Sequence, residues 1–556
     1  MSKTKGGSAM KRVLMVAAEN GALKGAKVGG MADVIRDLPG ALYPLGVCSD
    51  VIMPSYGFLH RQEGAEPLGE LVVDFYGQPH WLTLYRASHP SLPEVNLFLL
   101  DHPLFDQGGK IYTPGASDRP FAEDANKFAL FCLGVAKAVL SGLMPRPDHL
   151  HLHDWHCGVL ALLRAFAPEY AALQAIPCVL SIHNLAIQGA RPLTLEHSSL
   201  QAWLPGLFAS LERDALNQVI DPRYPQCFNP LRAAIVLSDR VHLVSPSYAQ
   251  EVLRPSSPEK GFIGGEGLEE DLQQKQQAGA LHGILNGCEY PSNKRSGQLS
   301  KRQALLRGNT DKLLPLIDRA EQAIGGWLCQ TPWVRSVDQQ ALLTLARLRR
   351  LSEFQDAPRL LLTSVGRLTD QKMAILCYRD QQGISTLEHL LKLLAEHAPN
   401  GLMAILGSGD QVIEAQLAQQ AGRYQNLLFI NGFDLPLSDT LYECGNLFIM
   451  PSSFEPCGIS QMLAMRAGQP CLVHGVGGLK DTVSHGEDGF VFYGDSLAEQ
   501  SSALLDILAQ TLPLVGKETW HGICEKASQK RFNWGASAKR YCQHLYCLPA
   551  SGALSD

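Results

Sequence analysis

The sequence has no apolar run near the ~20 residues that cross a bilayer. It has no basic leader followed by an apolar stretch, no CxxC pair, and no GxGxxG loop with an acidic residue about twenty positions on. These absences argue against a membrane span, a secretory signal, a paired-cysteine metal site and a nicotinamide oxidoreductase. Charge is sparse too: 18% of residues are charged and the formal net charge is −6. A chain so balanced carries no general attraction to nucleic acid or to anionic membranes. Fourteen cysteines are present, scattered and mostly inside apolar segments, so reduced, buried thiols and a cytoplasmic protein are expected.

What is present is length and apolar content. With 556 residues and 46% hydrophobic composition, the chain can bury more than one core. Strand-then-helix alternation occurs twice. Strands are predicted at 12–18, 148–153, 178–182 and 241–244, with a helix over 32–42, and again at 360–365, 402–406, 427–430, 447–450 and 471–474. The expected class is α/β, with a Rossmann-like domain at 11–290, a helical connector or insertion at 291–355, a second Rossmann-like domain at 356–528, and a last amphipathic helix within 529–548 returning toward the first domain.

Chemistry in such folds collects where strands run out. After the first strand, Lys27-Val-Gly-Gly-Met-Ala-Asp33 sets glycines before a helix, so backbone N–H groups can approach an anion; a plain tight turn would look the same. Gly366-Arg-Leu-Thr-Asp-Gln-Lys372 sets a guanidinium and an ammonium past a strand, which suits a leaving diphosphate but also describes two solvated cations. His149-Leu-His-Leu-His-Asp-Trp-His156 puts three histidines on one strand face, as a zinc triad would. With no second ligand cluster, the first three read as core histidines and His156 as a substrate contact; no metal and no cofactor are expected. In Ser453-Phe-Glu-Pro-Cys-Gly-Ile-Ser460, Glu455 either meets sugar hydroxyls or caps a helix.

These motifs, together with His183-Asn-Leu-Ala-Ile-Gln-Gly189, Val244-Ser-Pro-Ser-Tyr248, Leu285-Asn-Gly287, Leu406-Gly-Ser-Gly-Asp410 and Gly477-Gly-Leu-Lys-Asp-Thr482, follow the order found in bacterial glycogen synthases and plant starch synthases. The resemblance runs from Lys11 to Tyr546. It implies a GT-B glycosyltransferase, two doubly wound Rossmann-like domains facing across a cleft, that moves glucose from ADP-glucose, or UDP-glucose, to the non-reducing end of an α-1,4-glucan or maltooligosaccharide with retention. By the same resemblance His156, Arg367, Lys372 and Glu455 are catalytic. Lys27, Gly29, Gly30, Asp33, Asn286, Gly407, Phe433, Cys457, Gly458, Ile459 and Ser460 bind the donor, with Phe433 where the family often has a Tyr beside the nucleotide base. Glu123, His183, Asn184 and Gln188 are implied contacts to acceptor or sugar. The chain departs from the family pattern at Met373, Ile187, Ser460, the loop from Glu19 to Lys27 and the connector. A transferase acting on a small acceptor and a non-catalytic glucan-binding protein are the alternative readings.

Overall fold

A computed structural model describes residues 10–62, 64–113, 121–290, 313–330, 332–353, 358–398 and 400–548. It divides into two compact units, Met1–Ser256, Gly264–Gly287 and Asn533–Asp556 in one, and Ser257–Ile263 with Cys288–Phe532 in the other.

The first unit is laid on strands β1 (Lys11–Val16), β2 (Val47–Pro54), β3 (Glu66–Phe75), β4 (Gln78–Ser88), β5 (Asn96–Asp101), β6 (His149–His153), β7 (Cys178–Ile182), β10 (Arg240–Leu243) and β11 (Leu281–Gly283), with β8 (Arg191–Pro192) and β9 (Cys227–Phe228) forming a small separate pair. Their order is β11-β10-β7-β6-β1-β2-β5-β4-β3. β1 is central, and its apolar run from Val13 is buried throughout, as a parallel strand covered on both faces requires. It pairs in parallel with β2 on one side and β6 on the other, so the strand order reverses between β1 and β6. In this sheet β4 runs antiparallel to both its neighbours, β3 and β5, and β3 is an edge. On β3, buried Leu71, Val73 and Phe75 alternate with exposed residues, the two-residue period of a sheet with one wet face.

The second unit carries six parallel strands, β12 (Leu361–Val365), β13 (Leu402–Gly407), β14 (Leu427–Asn431), β15 (Leu447–Met450), β16 (Cys471–His474) and β17 (Gly489–Phe492), ordered β14-β13-β12-β15-β16-β17. Counted along the chain, this is the 3-2-1-4-5-6 order of the doubly wound dinucleotide fold, with its switch between β12 and β15. Leu362, Met403, Ile405, Phe429, Ile449 and Leu472 fill the core beside these strands; each buried side chain of this kind contributes roughly 1.5–3 kcal/mol.

The connector forms two helices, Leu314–Leu328 and Ser336–Glu353, which belong to the second unit. Leu316, Ile317, Ala320, Ala323 and Ile324 are the buried stripe of the first, at the spacing that keeps one helix face apolar. Residues 291–312 of the expected connector lie outside the described residues. After Phe532 the chain belongs to the first unit again. Helix Trp534–Arg540 packs on helix Gly30–Leu42, and Ser537 Oγ donates to the Leu285 carbonyl at 2.6 Å.

Candidate functional site

In the first unit the loops after β1 and β6 supply the chemistry. Glu19, at the end of the β1 run, is buried. One of its oxygens accepts the Val28 and Gly29 amides at 2.7 and 2.6 Å, and the other accepts the Tyr112 hydroxyl at 2.7 Å. The amide of Gly29 is therefore already given to a carboxylate belonging to the chain. What remains for an outside anion is the amino terminus of helix Gly30–Leu42 and Lys27. The Lys27 side chain is 36% exposed and bridges to Asp33 at 2.7 Å, while Arg36 also reaches Asp33, at 3.1 Å.

Beyond β6, Asp154 takes a positive φ of 58°, a conformation costly for any residue but glycine. Its buried carboxylate holds it there, accepting the amides of His183 at 2.6 Å and Asn184 at 3.4 Å. Burial pushes that carboxyl up to about 7, against the pull of the two donors. His156 is buried among the rings of Tyr112, Phe128 and Trp155. Burial lowers its pKa to about 3, so near neutral pH it is an uncharged imidazole, and its Nδ1 has no partner among the described residues. Such a ring can exchange a hydrogen bond with a hydroxyl without adding charge.

The strand histidines are tied into the fold. His151 contacts the Tyr546 hydroxyl at 2.8 Å and Ser181 Oγ at 2.7 Å, and Ser181 continues to His242 at 2.7 Å. His153 Nδ1 meets His183 Nε2 at 3.0 Å. Among the described residues no group of three or more His, Cys, Asp or Glu could hold a metal ion. Of the expected acceptor contacts, Gln188 is occupied at both ends, donating to the Glu266 carbonyl at 3.1 Å and accepting from Asn229 at 2.6 Å. The Asn184 side chain accepts the Ala186 amide. Glu123 is exposed on helix Ala122–Ser141, whereas its neighbour Asp124 turns inward to Lys127 at 2.8 Å. Asn286, just past β11, is buried with its Oδ1 unpartnered among the described residues.

In the second unit the switch between β12 and β15 gathers the expected charges. Lys372 Nζ bridges to Glu455 Oε2 at 2.8 Å, and the Ser452 hydroxyl donates to the same oxygen at 2.9 Å. Arg367 is exposed just past β12, and it lines a hollow at the strand ends with Gly366, Lys372, Met450 and Ser452. Gly458 has φ of 75°, letting the chain turn into helix Ser460–Arg466 from Ile459. Cys457 is buried, and both its carbonyl and that of Gly458 accept from Gln461. The Ser460 hydroxyl bonds with buried Tyr442. Gly407 owes its residue type to packing, since a Cβ there would lie 2.1 Å from the Gly366 carbonyl oxygen. Phe433 is 59% exposed in the connection after β14.

Sequence reasoning missed four residues that organise these loops: Glu19, Tyr112, Asp154 and Ser452. Glu19 and Asp154 did carry a signal, a carboxylate closing a strand otherwise buried. Tyr112 carried none, because Glu19 lies far from it in the chain; Ser452 sits three residues before Glu455 and was passed over as a loop serine.

Two family models match the chain: the starch synthase catalytic domain over residues 12–274 and glycosyl transferases group 1 over residues 359–516. Glycogen synthase of Streptococcus equi subsp. equi is 31% identical, covering 95% of this chain and 98% of that protein. Glycogen synthase of Gloeobacter violaceus is 30% identical, covering 95% and 97%. Among solved structures, the catalytic domain of starch synthase IV from Arabidopsis thaliana, bound to ADP and acarbose, superposes with a TM-score of 0.71 over 97% of this chain and 99% of that one at 24% identity, a likeness of fold that makes the architecture GT-B. Two doubly wound units with charged switch points, and full-length similarity at this level, place the chain in the glycogen synthase family.

Proposed function

We propose that this glucosyltransferase takes glucose from ADP-glucose and adds it to the non-reducing end of an α-1,4-glucan with retention of anomeric configuration. The observation that carries the reading is the Lys372–Glu455 pair beside exposed Arg367 at the switch between β12 and β15, where a doubly wound sheet takes its nucleotide. The motif order resembles bacterial glycogen synthases, and that resemblance favours the adenine nucleotide. In a retaining transfer of this type the diphosphate leaves from the face that the acceptor hydroxyl attacks. Arg367 and Lys372 stabilise the growing phosphate charge, and Glu455 orients the transferred glucose. Lys27, Asp33 and the helix starting at Gly30 serve the phosphate and sugar from the first unit. Neutral His156 accepts or donates to a glucose hydroxyl, leaving positioning and electrostatics to supply the rate.

Incubating maltotetraose with the protein and either ADP-glucose or UDP-glucose tests this directly. A ladder of longer oligomers made from ADP-glucose and digested by an α-1,4-specific amylase is expected. A ladder from UDP-glucose alone would overturn the donor, and nucleotide release only with a monosaccharide or polyol acceptor would overturn the acceptor.

A further inference from the structure

One short connection, Gly432-Phe433-Asp434, joins β14 to helix Leu435–Cys444. Asp434 caps that helix, its carboxylate accepting the Leu437 amide at 2.7 Å, while Gly432 has no side chain and Phe433 is mostly in solvent. The remaining restraint comes from outside. The Gly432 amide donates to the Gly407 carbonyl at 3.1 Å. A Cβ on Gly432 would lie 2.4 Å from the Trp327 ring, so the indole is seated against the bare backbone. Arg335 donates to the Asn431 carbonyl at 2.7 Å and is itself clamped by buried Asp338 through two bonds of 2.8 Å. Trp327 closes helix Leu314–Leu328, Arg335 directly precedes helix Ser336–Glu353, and the two helices pack on helix Leu435–Cys444 and β14 respectively. The two connector helices thus grip both sides of the connection. Neither family model covers these helices, since one ends at residue 274 and the other begins at 359.

We infer that this helical hairpin positions Phe433, with Trp327 and Arg335 as the positioning residues that set how tightly the base of the donor nucleotide is held. The inference rests on the proposed donor reading and on the base-side place that the family resemblance implies for Phe433. A ring held in place stacks on a base without first losing the freedom of a loose loop, and that saving appears in affinity. The phosphate contacts of Arg367 and Lys372 do not depend on it.

The test uses the full chain with Arg335→Gln, Arg335→Lys, Trp327→Phe and Phe433→Ala. It compares the donor KM, kcat, inhibition by the matching nucleoside diphosphate, and inhibition by pyrophosphate, which has the diphosphate without a base. Arg335→Gln should raise the donor KM and the nucleotide inhibition constant about tenfold while kcat at saturation stays within about twofold, the pattern of lost uniform binding. Arg335→Lys should recover part of the loss, Trp327→Phe should shift the same two constants less, and pyrophosphate should inhibit as before. Nucleotide and pyrophosphate constants rising together in Arg335→Gln would overturn the inference, as would a weakened Phe433→Ala beside an unchanged Arg335→Gln. Unchanged nucleotide affinity in Phe433→Ala would remove the base-side reading itself, and the inference with it.

Discussion

Arg367 lies in the loop after β12 and Lys372 in the first turn of helix Asp370–Cys377, and their variants should separate accordingly. Both should lose ~10²-fold or more in turnover when changed to Ala, the scale of a lost transition-state charge contact. Arg367 is exposed and has no side-chain partner among the described residues, so Arg367→Ala should leave thermal stability within experimental error. Lys372→Ala strips the partner from Glu455, whose side chain is 8% exposed, and should lower Tm as well. Turnover at saturating donor and thermal scans of both variants check this; equal stability would mean that Glu455 is hydrated without Lys372. That Arg367, Lys372 and Glu455 fall after β12 and β15 was legible because each follows an apolar strand run; that Lys372 pairs with Glu455, rather than standing as a solvated cation beside a helix cap, was not. Gly407, Ser460 and Gln188 were legible only as family positions. Their physical roles depend on Gly366, Tyr442, and Asn229 with Glu266, and no local pattern pairs residues that far apart.

At the scale of elements, the central parallel strands could be read because each is a nearly unbroken apolar run. Those between residues 42 and 148 were not read. In β2 the run is interrupted by Ser49 and Asp50, both buried; Asp50 is compensated by Arg12 and by Asn96 at 2.8 Å. The antiparallel strands β3 and β4 alternate buried with exposed residues, and exposed Val72 and Trp81 face each other across them, blurring the contrast that marks such strands. Helix Ala122–Ser141 hides a further departure, Lys127 with no exposed surface, bonded to Asp124 and to the Ile111 carbonyl. Lys127→Ala should cost about 3–5 kcal/mol, the range for breaking a buried pair from one side. Replacing both partners, as Asp124→Asn with Lys127→Met, should cost less than the single change. Denaturant unfolding of the two variants decides; a double variant less stable than Lys127→Ala would show the pair's value to lie in its bonds to Thr113 and Ile111.

For the whole molecule, acid is the informative variable, because the first unit encloses His151, His153, His156 and His242 and partly buries His183. Burial holds His151 and His153 well below the ordinary value, His242 at about 4, and His156 and His183 at about 3. Below ~6.5 the unfolded chain takes up protons that the folded rings refuse, so stability falls with pH through the window from ~6.5 toward those values. Asp154 acts oppositely. Its carboxyl, raised to about 7, binds its proton more readily in the folded state and so favours folding as pH drops, but it is one group against five. Calorimetry at pH 7.5, 6 and 5 should show a progressive fall in the transition of the first unit. A transition that stays level across this range would mean that the rings are protonated without opening the fold.

The path of the chain through its two units also bears on how a ribosome delivers it. The second unit is nearly one continuous stretch, and its ends are stitched together, the Cys288 amide on the Phe532 carbonyl at 2.7 Å and the Phe532 amide on the Tyr290 hydroxyl at 2.9 Å. The first unit is begun first but lacks Tyr541 and Tyr546, which close its histidine chain, until the last turns emerge. Synthesis order and completion order are therefore reversed: the half made second can finish first, while the half made first must wait for the segment that follows Phe532. A stop codon just before Asn533 would cost the protein its earliest-made unit and spare its latest.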